Sequence, residues 1–303
     1  MLNIFVLIFG LILLVKGSDV FVDNASSFAK KLGIPSIIIG MTIVSFGTSA
    51  PELAISVTSS LAGMNDMSIA NVVGSNIFNL LTILGVSSII SKLKITNYKD
   101  VFILLGTSAL LFLFVIDGNL SFFNGVVLLM VFIFYMFNMI KKAKENKIEE
   151  KIEKQKPLWL IISLSLLGLL AIVWGGNLVV DSASIIATRF GMSQNLVGLT
   201  ICSIGSSLPE LVTSVIATKK CEVDIAVGNV IGSNIFNILL ILGCASVINP
   251  MVVSTVALMD IIFMCFTVLV FILVTFKKKN VNKTLGIPMV LIYVFYIIIT
   301  IIR

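Results

Sequence analysis

The chain has 303 residues, of which 58% are hydrophobic and only 12% charged, and its net charge is +6. A soluble domain cannot bury that much apolar surface, and apolar runs such as 104–116 and 261–276 last for whole helical lengths instead of alternating as the strands of an outer-membrane barrel do. The composition therefore excludes a soluble protein and a β-barrel and predicts an all-α polytopic membrane protein.

The apolar runs predict ten transmembrane helices, at about 2–24, 34–62, 68–90, 100–117, 122–140, 158–180, 194–218, 225–248, 252–276 and 285–302. Ten crossings place both termini on one side of the membrane. All but three of the 21 basic residues fall in the loops of the other side, the exceptions being Lys16, Arg189 and Arg303. The positive-inside rule then makes those loops cytoplasmic and the termini extracellular, in the cell membrane. The basic charge is thus a topology signal rather than a sign of a nucleic-acid partner, and the expected surroundings are membrane lipid.

One long polar segment divides the chain. Residues 141–157 mix lysine and glutamate and end at Pro157, which is typical of a short solvated linker. The predicted organisation is an N-terminal unit of five helices over 1–140, a cytoplasmic linker over 141–157, and a C-terminal unit of five helices over 158–303. Histidine is absent, which excludes imidazole metal ligands and histidine acid–base catalysis. We expect neither enzyme activity nor a cofactor.

The two units are copies of each other. A shift of 158 residues aligns GTSAPELAISV (47–57) with GSSLPELVTSV (205–215) and NVVGSNIFN (71–79) with NVIGSNIFN (229–237), and 22 of the 44 residues from 47 to 90 are identical. Five helices per copy is an odd number, so the copies are expected to cross the membrane in opposite directions. Inverted repeats with interrupted helices at corresponding positions are typical of secondary transporters.

Each copy carries one acidic residue inside an apolar span. Glu52 and Glu210 would each cost several kcal/mol in the membrane unless they were paired or hydrated, and no basic residue is placed to pair with both. Pro51 and Pro209 directly precede them, and a proline removes a backbone N–H and frees the carbonyl four residues back. We therefore expect interrupted helices in which carbonyls, hydroxyls and a carboxylate converge on a cation.

The spacing of polar residues supports this convergence. Thr48 and Glu52 are four residues apart on one helical face, and Ser206 and Glu210 repeat the spacing in the second copy. Ser75 with Asn79, and Ser233 with Asn237, form the same pattern on the next span. Ligands that are all oxygen favour Ca²⁺ or Na⁺ over Zn²⁺ or copper. Two glutamates balance one Ca²⁺, and sodium ions could use the same charges, so the two cations should compete.

These motifs resemble the two α-repeats of the sodium/calcium exchanger family, which belongs to the cation/calcium exchanger superfamily. The resemblance covers about 10–90 and 168–248. It implies ten helices in two inverted halves and electrogenic exchange of Ca²⁺ against several Na⁺ by alternating access, with helices 1 and 6 moving. It also implies Glu52 and Glu210 as the central ligands, with Thr48 and Ser206 contributing partly through carbonyls and Asn79 and Asn237 completing the centre. The remaining residues would line flanking sodium sites: Ser45, Ser49, Ser75, Ser203, Ser207 and Ser233.

Four alternatives remain at this stage. Some potassium-dependent members of the family have Asp where this chain has Asn237, so the resemblance favours exchange without K⁺ over a K⁺-dependent exchanger. Proton/calcium exchangers typically show a Gly-Asn-Ala-x-Glu pattern, whereas Thr48 and Ser206 follow the glycines here. A cation channel could use the same oxygens, but a site of paired broken helices favours a carrier. An intramembrane aspartyl protease would need a GxGD motif, which the sequence lacks.

Overall fold

The computed structural model describes residues 2–95, 98–145, 156–192, 203–278 and 280–302, with the side chains of Ser203, Lys277 and Lys278 left out. Within these ranges the α-helices are α1 Leu2–Leu32, α2 Ser36–Ile39, α3 Ser45–Thr48, α4 Ala50–Leu61, α5 Asn65–Phe78, α6 Leu84–Ile90, α7 Tyr98–Val115, α8 Phe122–Glu145, α9 Leu158–Arg189, α10 Ser203–Gly205, α11 Leu208–Lys219, α12 Val223–Phe236, α13 Gly243–Ile248, α14 Thr255–Lys278 and α15 Lys283–Ile302. Within the same ranges, three π-helical segments, Gly40–Val44, Asn79–Ile83 and Asn237–Leu242, join α2 to α3, α5 to α6 and α12 to α13.

Eight helices of the described chain are long and apolar enough to cross a membrane, when α5–α6 and α12–α13 are each counted as one. The segments Ser36–Thr48 and Ala50–Leu61 form a ninth candidate, bent by 48° at the break between them. The first part of the predicted seventh span, 194–202, lies outside the described residues. Helices α1 and α9 extend well beyond their predicted ends at 24 and 180, because backbone hydrogen bonding continues after the apolar sequence stops.

The distribution of side chains is the reverse of that in a soluble protein. Large apolar residues project outwards, as Phe134 and Trp159 do with 67% of their surfaces exposed. Serine, threonine, asparagine and glutamate side chains are instead buried in the centre, where Glu52 and Glu210 are both 0% exposed. An apolar exterior around a polar interior is the arrangement expected of helices surrounded by lipid, because the hydrocarbon solvates the outer side chains.

The duplication in the sequence is repeated in the structure. Helices α5 and α12 begin and end at positions separated by 158 residues, and both continue into a π-helical segment. The long helices α1 and α9 end at equivalent glycines with positive φ, Gly33 at 65° and Gly191 at 91°, which form left-handed C-terminal caps. Gly10 packs on Gly175 while Gly17 packs on Gly168, so these two equivalent helices run antiparallel at close range.

Four short strands connect the two copies. Strand β1, Leu93–Lys94, pairs antiparallel with β4, Asn280–Val281, and β2, Asn119–Leu120, pairs with β3, Met251–Val252. Strands β1 and β3 occupy equivalent positions in the two copies, because a shift of 158 residues superimposes them. Each pair therefore joins the loop after a core span of one copy to a hairpin of the other copy.

Candidate functional site

The two glutamates lie where the central helices are interrupted. Helix α3 ends at Thr48, and α4 resumes at Ala50 with Pro51 in its first turn, where the missing N–H of proline costs no hydrogen bond. Glu52 follows in that first turn. The second copy repeats the break at Ser207, so Glu210 occupies the same place in α11. The predicted interruption next to each glutamate is confirmed, and both carboxylates lie near the positive end of a helix dipole.

Each carboxylate is held by a hydroxyl from the other copy. Ser207 donates to Glu52 Oε1 over 3.0 Å, and Ser49 donates to Glu210 Oε1 over the same distance. Ser75 also reaches Glu52 Oε1, at 3.2 Å, and its hydroxyl lies 2.6 Å from that of Ser207. Three predicted serines thus contact the acids, and the site is formed jointly by both halves.

Several buried oxygens of the site accept no hydrogen bond from the described residues. They belong to members of the predicted ligand set: Glu52 Oε2, Glu210 Oε2, Asn79 Oδ1, Asn237 Oδ1 and Ser233 Oγ. Buried polar atoms normally have a partner, because a carboxylate or carbonyl oxygen without one loses its solvation. A group of acceptor oxygens without donors is the arrangement that a hard cation would satisfy.

Four asparagines connect the copies beside the glutamates. The amide nitrogens of Asn76 and Asn234 donate to each other's backbone carbonyls, both over 3.2 Å. Asn79 donates to the side-chain oxygen of Asn234, and Asn237 donates to that of Asn76, both over 3.0 Å. Because the side-chain N–H groups of Asn79 and Asn237 donate within this network, their side-chain oxygens remain free to bind another partner. The GSN asparagines therefore bridge the helices rather than cap them.

The hydroxyls of Thr48, Ser206 and Ser45 have neutral acceptors as partners, and Thr48 also interacts with the Glu210 carboxylate. Thr48 lies 3.1 Å from the side-chain oxygen of Asn229, and Ser206 lies 3.4 Å from that of Asn71. The Ser45 hydroxyl donates to the carbonyl of Gly40, across the first π-helical segment, over 2.7 Å. All three side chains are buried next to the site. The side chain of Ser203, the counterpart of Ser45, lies outside the described residues.

The two glutamates at this centre have no basic neighbour among the described residues. Neither glutamate lies within 4.0 Å of a lysine or arginine in the described chain, where the ion pairs involve other acids. No third acidic, cysteine or histidine side chain joins them among the described residues. The two carboxylates together carry the charge that balances one divalent cation.

Two features of the site do not follow from the predicted ligand set. Asn71 and Asn229 begin the repeated NVVGSN and NVIGSN blocks, and each contacts a hydroxyl of the opposite copy. Their position in a nearly identical repeated block is the sequence signal that could have identified these two asparagines. The π-helical segments that begin at Asn79 and Asn237 have no such signal, although insertions of this kind are frequent at functional sites.

The chain is similar to known proteins along almost its whole length. The family described as sodium/calcium exchanger protein matches residues 2–141 and 160–302. The putative antiporter CaxA of Alkalimonas amylolytica is 35% identical over 97% of both chains, and the sodium/calcium exchanger MaX1 of Methanosarcina acetivorans is 31% identical over 98% of both. The solved structure of the sodium-calcium exchanger NCX_Mj soaked with 10 mM Na⁺ and 10 mM Sr²⁺ superimposes with a TM-score of 0.88, at 32% identity, over 98% of this chain and 97% of that one. The chain belongs to the sodium/calcium exchanger protein family.

Proposed function

We propose that this protein exchanges Na⁺ for Ca²⁺ across the membrane by alternating access. The observation that carries the proposal is the pair of fully buried glutamates, one from each copy, whose second oxygens have no donor in the described chain. Together with the oxygens of Asn79 and Asn237 they form a negatively charged set of hard ligands between the copies. The names of similar proteins point to the same pair of cations.

Competition for the shared carboxylates explains the coupling. A Ca²⁺ ion between Glu52 and Glu210 neutralises the centre, and sodium ions bound beside Ser49, Ser75, Ser207 and Ser233 would draw on the same charges and displace it. With no cation bound, two uncompensated carboxylates would have to cross the low-dielectric barrier, which costs several kcal/mol per charge. The protein therefore moves in either loaded state but resists moving empty. Exchange is favoured and leak is suppressed.

We propose ten spans arranged as two inverted five-helix repeats. The antiparallel packing of α1 on α9 supports inversion, because these helices are the first of each copy. The strand pairs support the number ten. Strands β1 and β4 must lie on one side of the membrane, yet only five candidate spans separate them in the described chain. Five crossings would leave the strands on opposite sides, so one further crossing between Arg189 and Val223 restores the pairing.

The same parity holds for the second strand pair. Three candidate spans separate β2 from β3 in the described chain, and the additional crossing again makes the number even. The β1–β4 pair then lies on the side that carries the basic loops, with Lys92 and Lys94 beside it. We infer that this side is cytoplasmic, that the 141–157 linker is cytoplasmic, and that the termini are extracellular in the cell membrane.

We further propose that transport does not require K⁺. The side chains of Asn79 and Asn237 are both neutral amides engaged in the asparagine network, so among the described residues no third carboxylate lies at the site for an additional monovalent ion. Exchange of one Ca²⁺ for more than two Na⁺ is electrogenic. Adding K⁺ should leave the wild-type rate unchanged, and Asn237→Asp should introduce a response to K⁺. Stimulation of the wild type by K⁺ would favour the potassium-dependent alternative instead.

The test is ⁴⁵Ca²⁺ uptake into Na⁺-loaded proteoliposomes diluted into Na⁺-free buffer. We expect rapid uptake by the wild type, loss of uptake in Glu52→Gln and Glu210→Gln, and full activity in Lys141→Gln, an exposed change outside the site. Uptake that ignores the sodium gradient, or that survives both glutamate substitutions, would overturn the proposal. A pH gradient in place of sodium tests proton coupling. Steady flux without any counter-ion would indicate a channel.

A further inference from the structure

Asn71 and Asn229 occupy equivalent positions behind the two glutamates, and neither belongs to the predicted ligand set. The side-chain nitrogen of Asn229 lies 3.0 Å from the Ser214 hydroxyl and 3.5 Å from the backbone carbonyl of Glu210. That of Asn71 lies 2.9 Å from the Ser56 hydroxyl and 3.3 Å from the carbonyl of Glu52. Each asparagine therefore contacts the first turn of the helix that carries the glutamate of its own copy.

The oxygen of each asparagine faces the other copy. Thr48 Oγ1 lies 3.1 Å from Asn229 Oδ1, and Ser206 Oγ lies 3.4 Å from Asn71 Oδ1. The assignment of N and O in Asn229 follows from its neighbours, because only the amide nitrogen can donate to the Glu210 carbonyl. The asparagine oxygen is then an acceptor, and the hydroxyl of the opposite copy donates to it.

This contact offers the hydroxyl an acceptor for its proton and so influences which way its lone pairs point. A hydroxyl can ligate a cation only when its single proton points away from the ion, towards an acceptor. The Thr48 hydroxyl has Asn229 Oδ1 and the Val44 carbonyl, both at 3.1 Å, and the Ser45 carbonyl at 3.5 Å as such acceptors, and it also interacts with the Glu210 carboxylate. Asparagine suits the position better than aspartate, since only an amide both accepts from the hydroxyl and donates to the glutamate carbonyl.

We propose that Asn71 and Asn229 are positioning residues that orient the hydroxyls of Ser206 and Thr48 and fix the glutamate helices across the interface between the copies. The proposal rests on the proposed exchange of Na⁺ and Ca²⁺. Residues that orient metal ligands in this way commonly account for about 10- to 100-fold in metal affinity. The two positions are unequal, because Asn229 is 0% exposed with a contact of 3.1 Å, whereas Asn71 is partly exposed with a contact of 3.4 Å.

The test is a double-mutant cycle on the calcium concentration that gives half-maximal sodium-driven uptake. We expect Asn229→Ala and Thr48→Val each to raise that concentration about 10-fold, and the double variant to raise it no further, because both changes break one contact. Asn71→Ala with Ser206→Ala should behave in the same way with smaller effects. The control combines Thr48→Val with Asn71→Ala from the other pair, and the fold-increases in half-maximal calcium concentration of the two single variants should multiply.

The thermal unfolding temperature, Tm, of each variant is measured without and with Ca²⁺. It separates orientation of ligands from loss of stability. Matched pairs whose effects multiply, or variants that lower the ion-free Tm while leaving the half-maximal calcium concentration unchanged, would overturn the inference. If Ca²⁺ stabilises the wild type but the wild type does not transport, only the proposed function is refuted. The double-mutant cycle would then be measured on the calcium-induced shift in Tm. A wild type that neither ion stabilises would refute both.

Discussion

Replacing Glu52 with glutamine should stabilise the protein in ion-free buffer while removing its response to calcium. The carboxylate is 0% exposed, and its Oε1 accepts hydrogen bonds from Ser207 and Ser75 whereas its Oε2 accepts none from the described residues. A glutamine of the same shape keeps an oxygen for the two serines and places its amide where Oε2 was. The substitution therefore removes a buried charge without breaking those two hydrogen bonds.

The size of the effect follows from mass action. A ligand present at 100 times its dissociation constant stabilises the folded state by about 2.7 kcal/mol. At about 2–4 °C per kcal/mol for a large domain, that amounts to a rise in Tm of about 5–10 °C for the wild type on adding Ca²⁺. Loss of one partner from a buried charged site costs about 3–5 kcal/mol, which lowers affinity by more than about 100-fold. The variant should therefore show almost no rise at the same calcium concentration.

The assay is a thermal unfolding series in detergent, with chelator alone and with graded Ca²⁺ or Na⁺, for the wild type, Glu52→Gln and Glu210→Gln. The matched control is Ser60→Ala, a buried polar change at the C-terminal end of the same helix, whose hydroxyl contacts the backbone of Ala245 and not the site. The reasoning is refuted if Glu52→Gln unfolds at a lower temperature than the wild type in chelator, or if Ca²⁺ still raises its Tm by the full wild-type amount.

Three further predictions concern packing and charge. Gly232→Ala should cost about 1–3 kcal/mol of stability, because its Cβ would lie 2.7 Å from backbone atoms of the facing helix. Gly74→Ala, whose Cβ meets no neighbouring element within 4 Å, should not lower Tm and should raise it slightly, because alanine favours a helix by up to about 1 kcal/mol over glycine. Lys142→Gln should lower Tm more than Lys220→Gln, because Lys142 contacts the buried carboxylate of Asp100 at 2.9 Å while the aspartates that contact Lys220 are about half exposed. Burial lowers the pKa of Lys220, but hydrogen bonds to its aspartates outweigh burial and leave the pKa raised. The ion pair should therefore persist from acidic to mildly alkaline pH and weaken only as pH rises through that raised pKa. Equal Tm losses in Lys220→Gln at pH 6 and pH 9 would check this.

The sequence was sufficient to predict the all-α membrane fold and the buried position of Glu52 and Glu210. Apolar run lengths predicted membrane helices, and the paired Pro-Glu motifs predicted the breaks at which Glu52 and Glu210 lie. These features are local, because each depends on residues within one or two helical turns. The predicted serines at 49, 75 and 207 also contact the acids, since the repeat carries the same spacing twice.

Contacts between the copies were harder to predict from the sequence. The donation from Thr48 to Asn229 joins residues 181 positions apart, and no periodicity within a helix specifies which acceptor of the opposite copy a hydroxyl will meet. The π-helical segments also escaped prediction, because one extra residue in a helical turn leaves the apolar pattern almost unchanged. Helix ends were misplaced for a similar reason, as hydropathy reports the edge of the membrane and hydrogen bonding reports the end of the helix.

The pairing of strands between the two copies affects how the protein folds during its synthesis. Because β1 pairs with β4, and β2 with β3, the first copy emerges from the ribosome with neither of its strands matched and with half of a charged site. Its acidic centre cannot close until the second copy has been inserted beside it. The halves are therefore units of sequence but not of folding. Two separately expressed fragments, divided within 146–155, should reassemble into one active protein when made together, whereas either fragment alone should be degraded.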